Sequence, residues 1–113
     1  MKVTTRVKDG VTILDLKGKI TIGLGDIALR NAVQEAINGG AKHVLINLKE
    51  VSTIDSSGVG ELVSAYTTAT NRGVKLKLTS LPDKVSDILH ITQLITVFDV
   101  YDTEDEALKS YAA

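Results

Sequence analysis

Ile54-Asp55-Ser56-Ser57-Gly58-Val59-Gly60 is the stretch on which the fold turns. It stands between a short apolar run, His43 to Leu48, and a segment in which Val59, Leu62, Val63 and Tyr66 recur at helical spacing. The run reads as a buried strand, with Lys49 to Ile54 as a loop. The segment reads as an amphipathic helix that begins near Ser56 and stops at Gly73. A strand passing through a loop into a helix is the repeating unit of a parallel α/β sheet. Three consecutive acceptor side chains, Asp55, Ser56 and Ser57, are more than one helix cap requires. Gly58 and Gly60 each weaken a helix by roughly 1 kcal/mol relative to alanine. Two readings stand side by side. Either an ordinary cap is followed by glycines that serve helix–sheet packing, or bare backbone lets another surface approach a serine hydroxyl displayed at the helix start.

Upstream, Val3 to Val7 and Val11 to Lys17 read as strands joined at Asp9-Gly10, a pair that tolerates the positive φ of a hairpin turn. Gly18 to Gly25 reads as a glycine-rich loop, after which Asp26 caps a helix. Leu29, Ala32, Val33, Ala36 and Ile37 form one face of that helix, and Gly39-Gly40 ends it. Downstream, Val74, Leu76 and Leu78 alternate with Lys75 and Lys77, the pattern of a strand with one solvated face. Pro82 opens a third helix with Val85, Ile88 and Leu89 inward. Val97 to Val100 reads as a last strand. Thr103 and Glu106 form a capping-box pair ahead of a terminal helix that buries Leu108 and Tyr111. The order β-β-α-β-α-β-α-β-α predicts an α/β fold: a mixed, mostly parallel sheet with an N-terminal antiparallel hairpin, packed against helices. Leu29, Val33, Val44, Leu62 and Val63 are the expected core.

Composition narrows the function. The 113 residues are expected to form one domain, 1–113, with 43% hydrophobic residues, one Phe, three Tyr and no Trp. The absence of Cys excludes disulfides and thiolate metal sites. With 13 Lys+Arg against 14 Asp+Glu and no basic cluster, no nucleic-acid partner is expected. No apolar run is long enough to span a bilayer, and Met1 to Gly10 lacks the apolar stretch of a secretory signal. The expectation is a cytoplasmic protein without a membrane partner.

Strand, loop, Asp55-Ser56-Ser57-Gly58-Val59-Gly60 and helix together resemble the signature of the STAS domain, shared by anti-sigma factor antagonists and the cytoplasmic tails of sulfate transporters. The likeness extends to the hairpin, Leu16-Lys17-Gly18, the His43–Leu48 strand, and Val97-Phe98-Asp99-Val100 before a terminal helix. In the antagonist branch the first serine of the motif is phosphorylated, which is Ser56 here, with Ser57 the runner-up. The resemblance implies a regulatory protein and not an enzyme. Its partner would be an anti-sigma factor that is itself an ATPase-fold serine kinase, bound by the unphosphorylated form so that a sigma factor is freed. A PP2C-type phosphatase would reset the switch. The chain itself would hold no cofactor or metal, ATP being supplied by the kinase. One position departs from the family: an acid often follows the second strand, and alignment on Gly18 puts Thr21 there. That loop, Lys19 to Gly25, is unusually apolar and leaves open a second reading, a non-phosphorylated STAS scaffold or accessory subunit of a signalling assembly or transport system.

The expected partner surface therefore comprises Thr21, Ile22, Leu24, Asp55, Ser56, Ser57, Gly58 and Gly60, all following the carboxyl ends of strands. Other motifs carry less. Gly23-Leu24-Gly25-Asp26-Ile27-Ala28 matches a loose dinucleotide pattern, but the loop from Gly18 is too long for the tight turn it needs. Neither Ser56 nor Ser57 is flanked by the glycines of a hydrolase elbow. His43 opens a strand and His90 lies near a helix end, both structural positions.

Overall fold

The computed structural model describes residues 1–112. Two strands, β1 (Lys2–Lys8) and β2 (Val11–Ile20), form the antiparallel hairpin, with Asp9 at φ 54° and Gly10 at φ 77° supplying the turn. Then follow α1 (Gly25–Asn38), β3 (His43–Ile54), α2 (Ser56–Asn71), β4 (Lys75–Thr79), α3 (Asp83–Ile91), a 3₁₀ turn at Leu94–Thr96, β5 (Val100–Tyr101) and α4 (Glu104–Tyr111). The strands lie in chain order, β1-β2-β3-β4-β5, and every pair after the hairpin is parallel. Each crossover steps the same way across the sheet, and right-handed crossovers of that kind place their helices on one face.

The core obeys that rule. Leu29, Val33 and Ile37 of α1, Leu62, Ala65 and Ala69 of α2, and Val85 and Leu89 of α3 pack on Leu14, Leu16, Val44, Ile46, Leu76 and Leu78. On the opposite face α4 alone covers Val11, Ile13 and Leu45 with Ala107, Leu108 and Tyr111. The Tyr111 hydroxyl donates to the Val44 carbonyl at 2.5 Å. Leu29, Val33, Val44 and Leu62 are buried as expected, whereas Val63 is half-buried at the margin.

Several local expectations are corrected. Lys49 to Ile54 is strand, not loop, because β3 continues along β2 as far as Ile20↔Ile54. The strand β2 itself runs past Gly18, whose φ of 116° accompanies a shift in register. Asp26 does not cap α1. The helix starts one residue earlier, and the Asp26 carboxylate accepts the N–H of Ile27 at 2.8 Å. Lys77 is not solvated: it is 8% exposed, donates to the Ser110 hydroxyl at 2.8 Å, and lies 4.6 Å from the centre of the Tyr111 ring. Strand alternation placed it on the right face, but α4 covers that face. Val97 to Asp99 is not strand. Val97 closes the 3₁₀ turn and Phe98 enters the core, edge-on to Tyr66 at 5.5 Å. Thr103 caps α4, its hydroxyl accepting the Glu106 N–H at 3.2 Å.

Candidate functional site

The start of α2 and the turn after β2 meet because two glycines allow it. A Cβ on Gly58 would overlap the carbonyl oxygen of Ile20, and one on Gly25 would overlap that of Lys19. The Asp55 N–H donates to the same Ile20 carbonyl at 3.4 Å. The end of β2, the start of α1 and the first turn of α2 are thus locked against one another.

Asp55 is the cap of α2. One carboxylate oxygen accepts the Gly58 N–H at 2.9 Å and the other accepts the N–H of Ile22 at 3.0 Å. These bonds, the one from Ile22 foremost, hold the carboxyl below the usual aspartate range. Of the three consecutive acceptors, Asp55 is the one that caps the helix.

Ser56 is the first residue of α2 and is exposed; Ser57 is half-buried. Beside them Ile22 is 72% and Leu24 77% exposed. Thr21 is half-buried, its carbonyl accepting the N–H of Asp26. Gly58 and Gly60 play opposite parts. Gly58 is buried against Ile20, so it serves packing, while a Cβ on Gly60 would meet open space. Of the two readings of the glycines, the packing reading accounts for Gly58, and bare exposed backbone remains at Gly60.

Ile27 extends the exposed apolar group at 42% exposure and escaped the sequence reading. Its signal was available: it is an apolar residue off the Leu29–Val33–Ile37 stripe, next to the loop. Further along, Glu61 is buried between α1 and α2 and accepts from Arg30 at 2.9 Å. It is the one charged residue of α2, so the outer face of that helix carries Ser, Gly, Thr and Asn only.

A concavity of about 960 Å³ lies elsewhere, against the sheet face that α4 leaves uncovered, and is lined by Arg6, Asp15, Lys17, Asn47 and Glu104 among others. It includes none of the residues around Ser56. An exposed hydroxyl flanked by exposed isoleucine and leucine is a surface for a macromolecule more than for a small ligand.

Residues 2–107 match the family model of the STAS domain. The chain belongs to the STAS domain family. This STAS domain is similar to the anti-sigma F factor antagonist of Paenibacillus polymyxa, 28% identical over 100 residues that cover 88% of this chain and 85% of that one. It is also similar to a solved Thermotoga maritima protein with the provisional name of anti-sigma factor antagonist. That pair has a TM-score of 0.90 at 25% identity, covering 98% of this chain and 95% of the other. The phosphorylated form of the Bacillus cell fate determinant SpoIIAA shares the fold, with a TM-score of 0.73 at 20% identity over 97% of this chain and 99% of that one. No helix among the described residues is long and apolar enough to cross a membrane.

Proposed function

We propose that this STAS domain is an anti-sigma factor antagonist switched at Ser56. Unphosphorylated, it binds an anti-sigma factor serine kinase and so frees a sigma factor; phosphorylated at Ser56, it lets go, and a PP2C-type phosphatase returns it to the binding form. It acts as a regulatory module and not as an enzyme, in the cytoplasm, as one domain over residues 1–113. The observation that carries this reading is the exposed Ser56 at the first position of a helix, beside exposed Ile22 and Leu24.

The physics of the switch is local. In the free protein a phosphate at Ser56 lies at the positive end of the helix dipole, worth on the order of 0.3–1 kcal/mol. The fold therefore tolerates it. In a complex the same group, carrying about −2 of charge, must shed water beside the Asp55 carboxylate and an apolar rim. Release needs a lost interface and no large rearrangement. The likeness of the fold to a phosphorylated relative agrees with that economy.

The test is incubation with the cognate kinase and ATP. One phosphate is expected, absent from Ser56→Ala, which still binds. Ser56→Asp is expected to fold normally and bind poorly. Full modification of Ser56→Ala would place the switch at another residue, Ser57 first. Equal binding by Ser56→Asp would refute the electrostatic mechanism.

A further inference from the structure

A helix cap needs one acceptor oxygen, and Ser, Thr or Asn supplies it as well as Asp does. Asp55 uses two. The oxygen that accepts from Gly58 caps α2; the other reaches outside the helix to the N–H of Ile22, across 33 positions of sequence. An amide side chain offers a single oxygen, so it can cap the helix but cannot hold both donors in this geometry. The Ile22 turn has little else to hold it. The side chains of Ile22 and Leu24 lie in solvent, and Gly23, at φ 92°, has nothing near its Cβ direction. Its other backbone bonds, Asp26 N–H to Thr21 and Ala28 N–H to Leu24, stay within the turn and α1. The Ile22–Asp55 bond is the one that ties the tip of this turn to α2. A mobile apolar turn would lose conformational freedom on docking, and that loss would weaken binding; a turn held beforehand avoids it.

We propose that Asp55 is a positioning residue whose second carboxylate oxygen tethers the Ile22–Leu24 turn to the start of α2, so that the apolar side chains and Ser56 present one preformed docking face. This rests on the proposed function for the identity of the docking partner, but the tether itself is a property of the isolated chain. Asp55→Asn and Asp55→Ser keep a cap and remove the tether. Backbone ¹⁵N relaxation of both variants should show the order parameters of residues 22–24 falling from about 0.85 toward 0.6. The Gly58 amide should stay as protected as in the parent, and the thermal midpoint should remain within about 2 °C, as expected where one good cap replaces another. Affinity for the kinase that modifies Ser56 should fall about tenfold. Unchanged order parameters, or a freed turn with unchanged affinity, would overturn the proposal. If no kinase modifies Ser56 in the parent, the proposed function fails, and the relaxation measurement still decides whether the tether exists.

Discussion

Gly58 sits so close to Ile20 that the carbonyl oxygen of Ile20 occupies the space a Cβ would need. Gly60, one half-turn on, faces open space. The pair separates two reasons for a glycine in one helix. Gly58→Ala forces strand and helix apart and is expected to destabilise by about 1–3 kcal/mol. Gly60→Ala removes only backbone freedom from the unfolded chain and should stabilise by about 0.5–1 kcal/mol. Urea unfolding of both variants checks the contrast, and equal effects would contradict the packing described.

Ile22 and Leu24 contribute surface and little core. The double substitution Ile22→Ser, Leu24→Ser should leave the thermal midpoint within about 2 °C of the parent, as surface changes do, while kinase binding weakens about tenfold or more. A large drop in midpoint with intact binding would mean that these side chains hold the fold together.

Acid should loosen the turn. The Asp55 carboxyl is held below its ordinary range, so its contribution to stability is present above the unfolded value of about 3.9 and is lost as pH falls through the lower folded value. Carboxyl ¹³C titration by NMR should place Asp55 below that unfolded value. Backbone order at Ile22 should fall along the same curve. Asp55→Asn should show no such step.

Tyr111 secures α4. Burial pushes its phenol above the usual tyrosine range, so the folded state favours the neutral form. Its contribution is complete below the unfolded value of about 10 and is lost as pH rises beyond it toward the folded value. Tyr111→Phe removes the bond to Val44 and should reduce stability by about 0.5–1.5 kcal/mol at neutral pH. Chemical denaturation measures the loss, and the alkaline part of the pH dependence should shrink with it.

Local pattern carried most of the architecture. The Asp9-Gly10 turn, the Leu29–Ile37 stripe and the Thr103 cap each lie within a few residues, and each is found where spacing put it. The misses involve partners distant in sequence. Alternation assigned Lys77 to the correct face, yet only the position of α4, whose Ser110 lies 33 residues along the chain, decides that this face is covered. Lys49 to Ile54 looks polar enough for a loop but continues as strand because β2 supplies partners up to Ile20. At the candidate site the motif drew attention to Asp55, Ser56 and Ser57. That the second oxygen of Asp55 also holds Ile22 depends on where the turn after β2 runs, and nothing in the motif encodes that approach.

The strands lie in chain order while a single helix, after all of them, covers the second face. During synthesis each strand–helix unit can dock on the edge left by the one before. The other side of the sheet has no such early partner. Val11, Ile13 and Leu45 wait, wet and apolar, until α4 leaves the ribosome and Tyr111 closes over them. For that interval the nascent chain offers a chaperone a defined greasy strip, and a stall before residue 104 would leave it open to aggregation.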